Sequence, residues 1–298
     1  MLLRQSGATP PLPSGGNPLL RPPVTDTTGL LPDSQLAEAL LPAAIAAGEA
    51  ILDVRSRTVL VEQKSDSSPV TEADRAAEVI ILAALAEIAP GIPVVAEEAV
   101  AAGNLPSVGS AFFLVDPLDG TKEFIGGGSD FTVNIALVRD NLPVMGVVYT
   151  PATGVIHVGT ASDGAWMGRV VDGAVVDRRP IGVRTCGADA RVDVVASKSH
   201  RTPETDDYIN KYPVGDLVSA GSSLKFCLVA EGKADLYPRM GTTMQWDTAA
   251  GDAVLRAAGG KVVTLDGRPF PYGPTDEAGS AAFRNPWFIA AGALDLKT

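Results

Sequence analysis

The amino-acid sequence predicts a mixed α/β fold (α+β) in two parts. Ala/Leu-rich segments come first, short apolar segments separated by turns follow, and strands alternate with helices after residue 191. Strands joined by short turns favour an antiparallel sheet, whereas alternating strands and helices favour a smaller α/β unit. We therefore predict an α+β subdomain at 34–190 and an α/β subdomain at 191–298, after a disordered Pro/Gly-rich extension at 1–33.

Two helices are predicted before any of the strands. The Ala/Leu-rich stretch at 34–54 has helical spacing, with Pro42 near its start or at a kink. A second helix is predicted from Thr71, a favourable N-cap, to Ile88, because a Pro-Gly pair follows. Between them lies a polar segment that contains Lys64.

Short apolar runs bounded by turn residues predict the strands. In the first subdomain these runs are 92–96, 111–115, 132–138, 144–149 and 155–158, with turns at 140–141 and 152–154. In the second, the predicted strands are 192–196, 216–219, 234–237, 261–265 and 288–291, and the predicted helices are 203–211, 222–230 and 247–258. The closely spaced strands between 132 and 158 are expected to be antiparallel.

The composition narrows the function. The formal net charge of the 298 residues is −11, so the chain has no general attraction for nucleic acid or an anionic membrane surface. Two cysteines form no zinc or disulfide pattern, and two histidines exclude a His-rich metal site. Any bound metal must therefore be held by oxygen, which favours Mg²⁺, Mn²⁺ or Ca²⁺. No apolar run is long enough for a membrane span or a signal peptide, so we expect a cytoplasmic protein.

The most informative motif is Asp116-Pro-Leu-Asp-Gly-Thr121, which follows an apolar strand. Asp116 and Asp119 place two carboxylates three positions apart, and such a pair repels itself unless a cation lies between the two groups. The alternative is a solvated turn, since Asp, Pro and Gly all favour turns. The motif therefore predicts either a metal site or an ordinary turn.

Other carboxylates lie at the boundaries of predicted elements. Glu97 ends a strand that is expected to lie beside the strand of Asp116, Asp247 opens a predicted helix, and Asp74 is in capping-box register after an N-cap. Each has a structural alternative as a surface residue or a helix cap. Together, in a chain with few histidines, they favour a site in which oxygen atoms bind several metal ions.

A second polar cluster predicts an anion pocket. Gly221-Ser-Ser-Leu-Lys225 opens a predicted helix, Ser197-Lys-Ser-His200 forms a polar loop, and Arg239 follows a strand. Backbone N–H groups, hydroxyls and cations of this kind bind phosphate, although a Ser-capped helix is the structural alternative. The cluster is predicted to hold a second phosphate away from the metals.

These motifs resemble a known family. Asp116-Pro-Leu-Asp-Gly-Thr and Trp246-Asp-Thr-Ala-Ala-Gly251 resemble the two signatures of the inositol monophosphatase superfamily of lithium-sensitive phosphatases. Thr121-Lys-Glu-Phe124, the segment 221–232 and Tyr237-Pro-Arg239 are similar to the bacterial 3′(2′),5′-bisphosphate nucleotidase branch. The resemblance extends from about Ser34 to the C-terminus. It implies a layered αβαβα sandwich of the inositol monophosphatase and fructose-1,6-bisphosphatase type, with metals at the junction of two subdomains.

The resemblance also implies a set of metal ligands and a catalytic pair. Glu97, Asp116 and the Leu118 carbonyl would hold one Mg²⁺, and Asp116, Asp119 and Asp247 would hold a second. Two or three Mg²⁺ ions per site are implied, with Mn²⁺ as a substitute. The catalytic pair is Thr121, which would position the attacking water, and Asp74, which would polarise Thr121.

The substrate implied by this branch is 3′-phosphoadenosine 5′-phosphate, a small anionic nucleotide, cleaved to AMP and phosphate. No aromatic clamp for adenine is identified, and the oligomeric state is left open. The implied substrate-binding residues are Lys64, Gly120, Thr121, Ser199, His200, Ser222, Ser223, Lys225 and Arg239.

Two alternatives remain open at this stage. One is an inositol or sugar-phosphate phosphatase of the same superfamily, which the segments around Lys122 and Lys225 disfavour. The other is a catalytically silent, cation-binding regulatory protein, which the presence of every implied ligand disfavours.

Overall fold

Two β-sheets form the framework that positions the predicted site. A computed structural model of the protein describes residues 30–57, 61–63, 69–187, 190–197 and 201–297. The helices within these ranges are α1 (Asp33–Arg55), α2 (Glu72–Ile88), α3 (Glu97–Ala101), α4 (Thr121–Ile125), α5 (Pro203–Ile209), α6 (Leu224–Ala230) and α7 (Ala249–Ala257). The strands are β1 (Val61–Gln63), β2 (Pro69–Thr71), β3 (Val94–Ala96), β4 (Ala111–Asp119), β5 (Thr132–Arg139), β6 (Leu142–Thr150), β7 (Val155–Thr160), β8 (Gly164–Val171), β9 (Ala174–Ile181), β10 (Val192–Ser197), β11 (Val214–Ala220), β12 (Leu236–Arg239), β13 (Lys261–Thr264) and β14 (Phe288–Ala291).

The larger sheet has seven strands in the order β3-β4-β5-β6-β7-β8-β9. Strand β3 is parallel to β4, and every later neighbour is antiparallel. Asp140 and Asn141 adopt positive φ angles of 50° and 63° in the tight turn between β5 and β6, as such hairpin turns require. The predicted antiparallel arrangement is confirmed, but β8 and β9 were not predicted.

The smaller sheet has five strands in the order β11-β10-β12-β14-β13. Strand β10 is parallel to β11 and β12, whereas β14 is antiparallel to β12 and β13. The five strands and the helices α5, α6 and α7 lie close to the predicted positions. In the sequence, all strands of the larger sheet precede residue 190 and all strands of the smaller sheet follow it, since the larger sheet ends at Ile181 and the smaller begins at Val192. The division into two subdomains stays a prediction.

One buried cluster fills the space between the two sheets. It joins Phe112 of β4 and Phe288 of β14 to Phe226 of α6 and Val254 of α7, and it includes Val195 of β10. Helices α6 and α7 are therefore the layer between the sheets.

A second buried cluster lies on the other face of the smaller sheet. Val194 and Leu236 pack there against Tyr208 and Ile209 of α5. Val194 and its neighbour Val195 belong to different clusters because successive side chains of a strand point to opposite faces. The smaller sheet thus separates α5 from α6 and α7.

The outer layer against the larger sheet is formed by α1 and α2, which pack on each other and on β6 and β4 respectively. Gly48 of α1 lies against Tyr149 of β6, and Gly146 of the same strand lies against Ala250 of α7. Positions 146 and 149 are an odd number of residues apart on β6, and residues so spaced face opposite sides of a sheet. Helices α1 and α7 therefore cover opposite faces of the larger sheet. The layers run α1/α2, larger sheet, α6/α7, smaller sheet, α5, which confirms the predicted αβαβα sandwich.

Both long helices begin and end within one residue of their predicted limits. Thr71 is the N-cap of α2, as predicted, and its hydroxyl accepts a hydrogen bond from the Ala73 N–H. Pro42 lies inside α1, as the tenth residue counted from Asp33. None of the described helices combines the length and low polarity needed to cross a bilayer.

The close approach of α7 to β6 leaves no room for a side chain at Gly146. A Cβ added at Gly146 would lie 2.3 Å from the Ala250 carbonyl oxygen and 2.9 Å from the Ala253 Cβ. We expect Gly146→Ala to lower the free energy of unfolding by about 1–3 kcal/mol, measured by urea denaturation. Gly109→Ala is the control, because a Cβ there would meet no atom within 4 Å. Equal stability of the two variants would contradict the packing described here.

Candidate active site

The parallel pairing of β3 and β4 brings the first two carboxylates together. Ala96 of β3 pairs with Val115 of β4, so Glu97 and Asp116 follow at the same edge of the sheet. Oxygen atoms of Glu97, Asp116 and Asp247 all lie within 4.8 Å of one another. The predicted proximity of Glu97 to Asp116 is confirmed. Glu97 also begins the short helix α3, which was not predicted.

The backbone of the Asp116 motif is irregular. Strand β4 was predicted to end at residue 115 but continues to Asp119, with a shift of register between Asp116 and Asp119. The Leu118 N–H donates to Asp116 Oδ1 at 3.0 Å, which orients that carboxylate. Gly120 follows with a φ of +95° and leads into α4 at Thr121. The irregular strand end thus presents both carboxylates and the Thr121 hydroxyl within six residues.

The setting of Asp247 differs from the prediction. Asp247 does not start a helix; it ends a 3₁₀ turn, Gln245–Asp247, and α7 begins at Ala249. Its Oδ2 atom accepts a hydrogen bond of 2.8 Å from the Met244 N–H. The carboxylate therefore caps the 3₁₀ turn, and this cap holds it beside Glu97 and Asp116.

Burial and mutual repulsion dominate the electrostatics of this cluster. Burial and then the charge of Glu97 raise the pKa of Asp116, which is 2% exposed, well above its usual value. Burial, followed by Asp119 and Glu97, likewise raises the pKa of Asp247. Burial raises the pKa of Asp119 to about 6, although Lys225 opposes the shift. Ionised carboxylates held this closely need a cation, and a donor set made only of oxygen fits Mg²⁺ or Mn²⁺.

Asp74 and Thr121 meet next to the carboxylate cluster. Asp74 Oδ2 accepts hydrogen bonds from the backbone N–H and the hydroxyl of Thr71, at 2.8 and 2.7 Å, and this confirms the predicted capping box. Its other oxygen lies 3.2 Å from Thr121 Oγ1 and accepts from that hydroxyl. The Leu118 carbonyl is a second acceptor for the same hydroxyl, at 3.3 Å. Asp74 therefore caps a helix and orients Thr121 at the same time.

A cavity of about 510 Å³ opens beside these residues. The predicted site residues that line it are Glu97, Asp119, Gly120, Thr121, Ser222, Lys225, Arg239 and Asp247. Ser197, from the predicted polar loop, also lines the cavity. The lining residues that were not predicted as site residues include Lys122, Glu123, Phe226, Tyr237, Thr242, Thr243, Met244 and Trp246. Lys122 and Glu123 belong to the Thr121 motif, so the motif itself could have indicated them.

Two buried cations line the cavity. Lys225 is 5% exposed, and its ammonium group donates to the Ser222 carbonyl at 2.5 Å and lies 5.3 Å from the centre of the Tyr237 ring. Burial lowers the pKa of Lys225 to about 8, a net shift that the charge of Asp119 opposes and the charge of Arg239 supports. Arg239, 6% exposed, donates to the Thr242 carbonyl at 2.9 Å. A buried pair of like cations favours an anionic ligand.

Ser222 and Ser223 have different surroundings. Ser222 lines the cavity, and its buried Oγ has no hydrogen-bond partner among the described residues. Ser223 is 1% exposed and does not line the cavity. Its Oγ donates to the Asp247 carbonyl at 2.7 Å and accepts from Asn134 Nδ2 at 3.0 Å. The reading of this segment as a Ser-capped helix is wrong, because no side chain caps α6.

Asp130 contacts both the carboxylate motif, at Gly120, and the Ser222 segment, at Gly221. Its carbonyl oxygen would be 2.8 Å from a Cβ added at Gly120 and 2.7 Å from one added at Gly221. Its Oδ2 accepts a hydrogen bond of 3.2 Å from the Gly221 N–H. The main chain of the carboxylate motif and that of the Ser222 segment therefore both rest against this residue.

Three predicted substrate-binding residues, Lys64, Ser199 and His200, lie outside the described residues. Their predicted roles stay predictions.

The raised carboxylate pKa values predict how pH acts on the metal-free protein. A carboxyl whose folded pKa exceeds its unfolded value binds more protons when folded, so its stabilising contribution is lost as pH rises. For Asp119 the window runs from its ordinary 3.8 to about 6. We expect the melting temperature of metal-free protein to fall across this window more steeply than that of Asp119→Asn. Saturating Mg²⁺ should stabilise the protein more at pH 7 than at pH 4. Identical pH profiles for the protein and the variant would contradict this.

Comparisons with known proteins agree with the geometry. A model of the inositol monophosphatase family matches residues 33–294. The 3′(2′),5′-bisphosphate nucleotidase CysQ of Shigella flexneri is 45% identical over 248 residues, which cover 81% of this chain and 94% of that relative. The CysQ nucleotidase of Escherichia coli strain K12 is 44% identical over 246 residues, with the same coverage of 81% and 94%.

Solved structures give the same result. The crystal structure of CysQ from Bacteroides thetaiotaomicron matches with a TM-score of 0.72 and 38% identity over 88% of this chain and 98% of that one. An inositol monophosphatase from Anabaena, 24% identical over 88% of this chain and 92% of that one, shares the fold with a TM-score of 0.65. The resemblance found in the motifs is thereby confirmed, and the chain belongs to the inositol monophosphatase family.

Proposed function

We propose that the protein is a Mg²⁺-dependent 3′(2′),5′-bisphosphate nucleotidase that hydrolyses 3′-phosphoadenosine 5′-phosphate to AMP and phosphate. The observation that carries this proposal is one cavity lined both by oxygen ligands and by the buried cations Lys225 and Arg239. Such a cavity suits a substrate with two phosphate groups, one to be cleaved and one to be held. The names of the CysQ relatives support the same activity.

The carboxylate cluster would hold the metal ions. Glu97, Asp116 and the Leu118 carbonyl would bind one ion, and Asp116, Asp119 and Asp247 a second. When bound, Mg²⁺ would offset the charge of the phosphate and the leaving oxygen and lower the pKa of a nearby water. The protein's own task is then to hold these ligands in place and keep the site shielded from bulk solvent.

Thr121 and Asp74 would direct the attacking water. The Thr121 hydroxyl donates its hydrogen bond to Asp74, so the lone pairs of Thr121 Oγ1 remain available to accept a hydrogen bond from that water. The water oxygen forms the new bond to phosphorus, the bond from phosphorus to the 3′ oxygen breaks, and that oxygen gains a proton. No phospho-enzyme is required, so positioning and charge account for the catalysis.

Lys225, Arg239 and Ser222 would bind the 5′-phosphate. Lys225 and Arg239 supply charge, and the Ser222 hydroxyl, which has no partner among the described residues, supplies a further hydrogen bond. An anion beside Lys225 would restore the positive form that burial disfavours. Cytoplasmic location and the use of Mn²⁺ in place of Mg²⁺ stay predictions.

The proposal predicts a selective defect for Lys225→Ala. The loss of one charge-assisted hydrogen bond, about 1.5–3 kcal/mol, should raise KM for the bisphosphate by roughly 10- to 100-fold. Activity on a monophosphate, which lacks the second phosphate, should change little. Lys211→Ala, in the exposed turn after α5, is the matched control. Equal losses on the two substrates would show that Lys225 does not bind the second phosphate.

The decisive measurement is phosphate release with Mg²⁺ from three substrates in parallel: 3′-phosphoadenosine 5′-phosphate, inositol 1-phosphate and fructose 1,6-bisphosphate. We expect strong preference for the nucleotide. Preference for inositol or sugar phosphate would keep the metal chemistry and reject the nucleotide pocket. Tight Mg²⁺ binding without release from any of the three would indicate a silent cation-binding protein.

A further inference from the structure

We propose that Asn134 and Ser223 are positioning residues that hold Asp119 and Asp247 at the separation a shared metal ion requires. Neither side chain would touch the metal or the substrate. The inference rests on the metal site of the proposed function, and it assigns Ser223 a role different from the predicted contact with substrate.

Asn134 lies where it can reach the carboxylate motif. It is a fully buried residue of β5, and its register partner on β4 is Asp116. Its Nδ2 atom donates to Asp119 Oδ2 at 3.3 Å and to Ser223 Oγ at 3.0 Å. The two amide hydrogens thus have one acceptor each.

Ser223 continues the connection to Asp247. Its hydroxyl donates to the Asp247 carbonyl at 2.7 Å while it accepts from Asn134. Its backbone also forms a hydrogen bond with the Asp119 carboxylate. A continuous path of hydrogen bonds therefore runs from Asp119 through Asn134 and Ser223 to Asp247.

The direction of this path is determined by its ends. The Asp247 carbonyl can only accept, so the Ser223 hydroxyl must donate to it. Turning the Asn134 amide over would place its oxygen against the Asp119 carboxylate, two acceptors in contact. The Ser223 hydroxyl has its proton committed to Asp247 and a lone pair committed to Asn134, and it lies outside the cavity lining.

The connection matters because its ends come from distant parts of the chain. Asp119 ends β4, whereas Asp247 ends the 3₁₀ turn before α7, and their like charges repel. Hydrogen bonds that oppose this repulsion keep both ligands ready for a cation, so binding needs less rearrangement. Asn134 Oδ1 is buried without a hydrogen-bond partner among the described residues, which indicates that the side chain serves through its amide hydrogens.

The test is calorimetric titration of Mn²⁺ into the metal-free full-length protein without substrate. Ser223→Ala and Asn134→Leu should each weaken Mn²⁺ binding about tenfold or more. Because both act through one path, the double variant should lose no more than the larger single loss. Thr150→Val is the control: it removes a buried hydroxyl that has no partner in the described part of the chain, and Mn²⁺ affinity should be unchanged.

Steady-state kinetics separates this role from substrate contact. In both variants the Mg²⁺ concentration for half-maximal rate should rise, while KM for the bisphosphate at saturating Mg²⁺ stays the same. Unchanged Mn²⁺ affinity with a raised KM for Ser223→Ala would overturn the inference. Ser223→Cys, nearly the same size with a weaker donor, serves if Ser223→Ala does not fold, and it should also weaken Mn²⁺ binding. The titration needs no turnover, so its result stands whether or not the protein hydrolyses the nucleotide.

Discussion

Repulsion among closely spaced carboxylates is the constraint on which the rest of this structure depends. Glu97, Asp116 and Asp247 approach within 4.8 Å although two of them have strongly raised pKa values. Each is held by its own local device: a parallel strand pair for Glu97, an irregular strand end for Asp116 and a capped 3₁₀ turn for Asp247. The fold thus holds these carboxylates together against their repulsion, and a bound divalent cation would offset that repulsion. Perturbed pKa values of this kind are common at functional sites.

Local signals predicted much of the fold and part of the site. The Thr71 cap and the Asp140-Asn141 turn depend on neighbouring residues, so the sequence alone located the start of α2 and the β5–β6 hairpin. The adjacency of Glu97 and Asp116 followed from two strands that end at one edge. These features were predictable because short-range backbone preferences decide them.

Features that depend on long-range contacts were not predictable. Strand β9 is largely exposed, so it lacks the apolar pattern that identifies a strand. Ser223 became part of the interior through contact with Asn134, 89 positions away. The one signal that could have indicated a role for Asn134 was its position as a polar residue within the apolar run of β5, since buried side-chain amides are almost always hydrogen-bonded. The predicted start of the helix at Asp247 was wrong because Asp caps 3₁₀ turns as well as α-helices, and here Asp247 caps a 3₁₀ turn.

Asp130 fixes the approach of two main-chain segments beside the cavity. Gly120 precedes Thr121 of the carboxylate motif, and Gly221 precedes the segment that carries Lys225. Both press on one carbonyl oxygen, at distances that exclude a side chain on either glycine. The distance between the carboxylate motif and the Lys225 segment is therefore set by main-chain contact, and a side chain at either glycine would force the two segments apart.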